Sequence, residues 1–310
     1  MRWLDGREGG RVQCARASLL LVLAMVQAQA PAIDLKQPAV TASLWAERDG
    51  IAPGQPFVLG LRLSHAPGWH SYWRIPGDSG LPTRLSWRLP QGFSAGDLQW
   101  PAPRRLAIGP LVDYGYEGET LLMTELQAAP GLALGSQVRV EAHAQWLMCR
   151  DVCIPASEDL AVTLPVRELS ALRPSSNWPA FARARASVPR NLKLAQAVAV
   201  RSGARVTLRF AAPAAGAPRR LEFFPLESGR IEPSAPQLLQ VRANSVSLEL
   251  VAAQPVGVDF RMLRGVLVAD EGLETGSGWI GTIEVPLGRG PLSRPKAGKG
   301  AARATGHQPR

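Results

Sequence analysis

Apolar and polar residues alternate with a period of two along much of the chain. Phe57, Leu59, Leu61 and Leu63 interleave with Val58, Gly60, Arg62 and Ser64. Val138, Val140, Ala142, Ala144, Trp146 and Met148 interleave with Arg139, Glu141, His143 and Gln145. Successive side chains of a β-strand point to opposite faces, so this pattern predicts strands with one face buried. Weaker runs at 85–89, 121–126 and 160–166 extend the series. Turn signals separate them: PGDSGLP at 76–82, LPQG at 89–92 and YGYEG at 114–118.

The texture changes after residue 166. Pro174, Pro179 and Pro189 interrupt the pattern, 178–186 suits a short helical turn, and a linker is expected over 169–190. Strand patterns resume at 194–201, 204–211, 220–225, 245–252, 258–268 and 279–286, and VRSGARV at 200–206 reads as a hairpin turn. Strands at this spacing with few helical stretches predict an all-β chain of two tandem immunoglobulin-like β-sandwiches. The first is expected over 29–168 and the second over 191–288.

The ends change the picture. Arg2, Arg7, Arg11 and Arg16 precede a short apolar run, ASLLLVLAMV at 17–26, and small residues follow. This is the layout of a secretory signal peptide, with cleavage expected after Ala28. The run is about half the ~20 residues that a membrane-spanning helix needs, and no later segment is long and apolar enough to span. The mature chain is therefore expected to be exported, to be soluble and to lack a transmembrane segment.

Charge is also concentrated at the ends. The formal net charge is +10, of which residues 1–28 carry +2 and the tail from Arg289 carries +6. The tail, 289–310, is rich in Gly, Pro, Ala, Lys and Arg and is expected to be disordered. The body has no clustered basic face, which argues against a nucleic-acid partner.

The signal peptide gives the cysteine count a new meaning. Cys14 leaves with the peptide, so two of the three cysteines remain, Cys149 and Cys153, in a compartment where disulfides form readily. Bonded cysteines have Cα atoms about 4.4–6.8 Å apart, whereas four steps of extended strand cover roughly 13 Å. A bonded pair therefore requires a turn at Arg150–Asp151–Val152. It places both sulfurs on a loop at a sheet end, with the strand ending near Met148 and the chain leaving at Pro155.

Three chemistries fit two thiols so placed. A structural staple closing so short a loop contributes only about 2 kcal/mol. A metal clip needs more ligands: zinc wants four, and His65, His70, His143 and His307 are the only histidines. Met148 with the two cysteines offers a soft set for Cu(I). A redox couple needs a bond that opens readily and is reachable by a partner's thiolate. Nearby residues have plainer readings. Trp69, Tyr72 and Trp73 read as buried strand aromatics, Asp78 and Ser79 as turn stabilisers, His70 as structural and Trp146 as core beneath the cysteines.

The flanking motifs go further. GWHSYWRIPGDSGLPTRLSW (68–87), LPQGFSAGDLQWPAPRR (89–105), DYGYEGET (113–120) and WLMCRDVCIP (146–155) occur in this order. Together they resemble the N-terminal periplasmic region of the DsbD/ScsB thiol:disulfide interchange proteins, the ScsB branch most of all, over about residues 38–288. The resemblance implies a periplasmic immunoglobulin-like redox domain, a protein-disulfide reductase component that needs no cofactor. Cys149 and Cys153 would be its catalytic pair, with Cys153 forming mixed disulfides and Cys149 resolving them. It also implies a cap loop over the sulfurs, best matched by Asp113, Tyr114 and Tyr116.

Partners implied by the resemblance are periplasmic thioredoxin-like or disulfide isomerase-type proteins. The complete family members continue into a membrane domain and a thioredoxin-like domain. A membrane-embedded electron donor acting in trans is therefore expected, unless the chain is a truncated copy. The alternative is a non-catalytic periplasmic binding module, linked to Cu(I) or copper tolerance, with a structural disulfide.

Overall fold

The computed structural model describes residues 39–213, 217–255, 259–269 and 278–290. The expected signal peptide, and the expected tail beyond Gly290, lie outside them. The chain is all-β, with one α-helix among the described residues.

Ten strands build the first sandwich: β1 (Val40–Ala46), β2 (Pro56–His65), β3 (His70–Gly77), β4 (Arg84–Arg88), β5 (Ser94–Ala95), β6 (Arg104–Ile108), β7 (Leu111–Glu117), β8 (Glu119–Gln127), β9 (Gln137–Cys149) and β10 (Cys153–Pro165). One sheet runs in the order β1-β2-β8-β5. The other runs β10-β9-β3-β7-β6, with β4 paired to β9. Leu59, Leu61 and Leu63 from one sheet and Val140, Ala144 and Trp146 from the other share one core. Burial along β9 alternates as its sequence predicts, from Val138 to Met148.

One turn lies elsewhere than expected. Tyr114, Gly115 and Tyr116 are strand residues of β7, and the chain reverses at Gly118, whose φ is +65°. Residues Asp113–Tyr116 are all buried. An aromatic strand covered on both faces carries no clean alternation, so its glycines read as a turn.

Residues 169–190, expected as a linker, carry α1 (Trp178–Ser187). Pro179 falls in its first turn, where a missing N–H costs nothing. Phe181 and Ala184 pack on Leu121 and Met123 of β8. Gly60 makes room for this contact, since a Cβ there would lie 3.1 Å from the Phe181 ring and 2.6 Å from Leu121. Arg185 holds buried Glu47 at 2.6 Å, fixing the helix to the end of β1.

The remaining strands are β11 (Arg190–Asn191), β12 (Val198–Ser202), β13 (Arg205–Ala211), β14 (Leu221–Pro225), β15 (Leu238–Arg242), β16 (Ser245–Val251), β17 (Met262–Ala269) and β18 (Trp279–Arg289). Their order is β14-β17-β18-β12-β13-β16-β15, with β11 on β18. The second core gathers Val206, Leu208 and Phe210 of β13, Val246, Leu248 and Leu250 of β16, and Phe223, Leu263 and Leu267 from β14 and β17.

Strands β14 and β17 are apolar on both faces. Phe223 and Leu267 enter the second core, whereas Phe224, Val266 and Val268 join the first. The uninterrupted apolar run Val266–Leu267–Val268–Ala269 is the sequence mark of such two-sided burial.

Candidate functional site

The site is built at one end of the β9–β10 hairpin. Thirteen residues of each strand pair in register, and the last pair is Cys149 opposite Cys153. Arg150–Asp151–Val152 makes the turn, with the Arg150 N–H donating to the Val152 carbonyl at 3.2 Å. The cysteines form a disulfide with their Cα atoms 4.2 Å apart. The turn falls where the spacing argument requires it, but the cysteines are strand ends rather than loop residues.

The two sulfurs are unequally placed. Cys149 is 1% exposed, next to β3 where it bridges His70, whereas Cys153 is exposed. Met148, the third soft donor considered for Cu(I), belongs to the first core. Strand alternation puts it on the face opposite Cys149. Among the described residues, no three His, Cys, Asp or Glu side chains gather in a way that could hold a metal ion.

Tyr72 of β3 brings its phenol oxygen to 3.5 Å from the Cys153 sulfur. Its ring is almost wholly buried. Burial, followed by the negative charge of Asp113, pushes the phenol up to about 12 against the opposing Ser79 hydrogen bond, so it stays protonated at physiological pH. The 76–82 loop lies over this ring. A Cβ at Gly80 would sit 2.1 Å from the Tyr72 ring, and the backbone φ there is +86°, so only glycine fits on both counts.

Asp113 ties the loop down. It accepts from the Ser79 N–H at 3.0 Å, and from the Ser79 hydroxyl at 2.9 and 3.0 Å. His70 Nε2 stands 3.8 Å from the Asp113 carboxylate, beyond hydrogen-bond range. Burial lowers the His70 pKa against the pull of Asp113 and Glu117, favouring the neutral ring. His65 is lowered too, chiefly by burial. Both its ring nitrogens are engaged, by the Gly118 carbonyl and the Ser71 hydroxyl, each at 2.8 Å.

Of the residues matched to a cap loop, Asp113 faces the loop over Tyr72. Tyr114 is fully buried, edge-on to Phe224 with ring centroids 5.2 Å apart. Tyr116 donates to the Pro101 carbonyl at 2.7 Å. The aromatic residue brought to the sulfur is Tyr72, which reads in the sequence as core. Its offset of two from His70 puts both on one face of β3, a signal that spacing carries; that this face is the one of Cys149 follows from the pairing of His70 with Cys149.

The disulfide thus closes one end of a sandwich hairpin, with one cysteine buried, the other exposed and a phenol beside its sulfur. Residues 42–165 match the family model of the N-terminal domain of the thiol:disulfide interchange protein DsbD. That span holds β2 to β10 complete, with both cysteines, Tyr72 and Asp113.

Among solved structures, the chain is similar to the N-terminal periplasmic domain of ScsB from Proteus mirabilis. The identity is 17%, the TM-score is 0.60, and the match covers 82% of this chain and 95% of that one. It establishes a shared fold across both sandwiches. The reduced N-terminal domain of DsbD from Neisseria meningitidis also matches, at 14% identity and TM-score 0.25, over 46% of this chain and 97% of that one. No curated protein sequence matches the chain at a significant level. No helix among the described residues is long and apolar enough to cross a membrane.

Proposed function

We propose that the chain is a periplasmic thiol:disulfide interchange protein in which Cys149 and Cys153 pass reducing equivalents to other exported thiol proteins. The observation that carries this reading is the asymmetry of the pair: one cysteine exposed with its sulfur beside a phenol, its bonded neighbour buried. The DsbD family match over 42–165 supports it.

In the charging step a donor's thiolate attacks the Cys153 sulfur and the Cys149–Cys153 bond breaks. Cys149 leaves as a thiolate and takes up a proton. The donor's second thiol then displaces Cys153, so the donor is oxidised and the pair reduced. In the delivery step the Cys153 thiolate attacks a substrate disulfide, and Cys149 resolves the mixed disulfide. The substrate leaves reduced and the pair is oxidised again. The Tyr72 phenol, protonated and 3.5 Å away, donates to the sulfur of Cys153 as charge develops on it.

The donor is a membrane-embedded relay, and the recipients are thioredoxin-like or disulfide isomerase-type proteins. Residues 1–28 direct export and are removed. A redox titration of the purified mature chain tests the proposal. The expected result is a reversible two-electron couple well above about −300 mV, where structural disulfides resist reduction. A pair that stays closed above that limit overturns it. Tight stoichiometric Cu(I) binding by the reduced pair, without exchange, would favour the binding-module reading.

A further inference from the structure

The two sandwiches meet through an aromatic contact that leads back to the cysteines. Phe224 on β14 is fully buried, but in the first core rather than its own. Its ring lies edge-on to Tyr114 at 5.2 Å and to Trp73 at 6.2 Å. Tyr114 is fully buried as well, and its hydroxyl has no hydrogen-bond partner. Its side chain is therefore held by packing against such rings, while the β6–β7 ladder holds its backbone. Arg105, which pairs with Tyr114 across β6–β7, reinforces the contact by donating to the Pro233 and Ala235 carbonyls at 2.7 and 3.2 Å.

The same short stretch of β7 anchors the loop over the site. The Val112 N–H donates to Asp78 Oδ2 at 2.8 Å, and the Asp78 N–H donates to the Val112 carbonyl at 3.1 Å. Asp113 holds Ser79. Residues 112–114 are thus gripped by the second sandwich through Tyr114, while Val112 and Asp113 fasten the segment that rests on Tyr72.

We infer that Phe224 is a positioning residue for exchange at Cys153: by holding Tyr114 it fixes Asp113, and through Asp113 the 76–82 loop over Tyr72. The second sandwich thereby sets how readily the sulfur reacts, without touching it. The inference rests on the proposed role of the pair only for its biological meaning. Its physical content is the reactivity of the disulfide.

The test measures the rate at which dithiothreitol reduces the disulfide in the full mature chain, as wild type, Phe224→Ala, Asp113→Asn and the double variant. Loosening the loop lets the Tyr72 phenol leave the Cys153 sulfur, which loses its donor, so the disulfide of Phe224→Ala should be reduced at about a third of the wild-type rate or less. In the Asp113→Asn background the Phe224 substitution should change the rate less than about twofold, because the connection is already cut. Phe224→Leu, which keeps most of the buried volume, should shift the rate in the same direction by less, and it decides the question if the alanine variant does not fold.

A rate unchanged or raised by both Phe224 substitutions overturns the inference, whatever the melting temperature does. So does an equal slowing with and without Asp113. Failure of the interchange proposal shows separately, in the wild type, as a chain that dithiothreitol reduces but that never exchanges with another protein.

Discussion

The phenol oxygen of Tyr72 and the sulfur of Cys153 lie 3.5 Å apart although 81 residues separate them in the chain. A protonated phenol at that distance stabilises a thiolate by hydrogen bonding, an interaction with a charged group that contributes about 1.5–3 kcal/mol. In the reduced protein, Tyr72→Phe should raise the Cys153 thiol pKa by about one unit or more, since one unit corresponds to about 1.4 kcal/mol. The pH dependence of alkylation by iodoacetamide measures it. An unchanged profile removes Tyr72 from the chemistry.

The unequal exposure of the two cysteines predicts an unequal pair of traps. Cys149→Ser leaves the exposed sulfur and should accumulate mixed disulfides with proteins of a periplasmic extract. Cys153→Ser leaves only a thiol that is 1% exposed and should accumulate almost none. Non-reducing gels followed by mass spectrometry report both. Equal capture by the two variants would contradict the assignment of Cys153 as the exchanging sulfur.

Replacing both cysteines by alanine should cost little stability. The bond closes a loop of five residues, for which chain entropy gives about 2 kcal/mol before any strain. The hairpin keeps its thirteen-residue register without it. Denaturant unfolding should therefore show a loss of about 2 kcal/mol or less. A loss of about 5 kcal/mol would identify the bond as a staple.

Acid should weaken the fold through His65 and His70. Burial depresses both from the ordinary value of 6.5, so the unfolded chain binds protons more readily than the folded one. Their contribution is complete above about pH 6.5 and is lost as pH falls through the folded values. Melting temperature should decline between pH 7 and pH 5, and the decline should be smaller in a His70→Gln variant. An identical slope in that variant would show that His70 does not titrate on unfolding.

Much of this was legible in the sequence, and the rest was hidden for identifiable reasons. The alternation from Val138 to Met148 gives the buried face of β9. The short spacing of the cysteines forces the turn at Arg150–Asp151–Val152. Alternation puts His70 and Tyr72 on one face, but it cannot say that this face meets Cys149, which depends on the pairing of β3 with β9, nor that Gly80 folds back over the ring, because that contact depends on a loop tied to Asp113, 34 residues from Ser79. Phe223 and Phe224 look alike in sequence. Only the assembled sheets show that one fills the second core and the other the first.

The double-faced strand β14 has a practical consequence for anyone dissecting the protein. The family match ends at residue 165, which invites truncation there. Such a fragment would bare Trp73 and Tyr114 to water where Phe224 now covers them. It would also lose Phe181, which shields the outer side of β8. A fragment cut at that point should be sticky and should carry a disulfide less readily reduced than that of the intact chain, so kinetic constants taken from it would not describe the protein as it works.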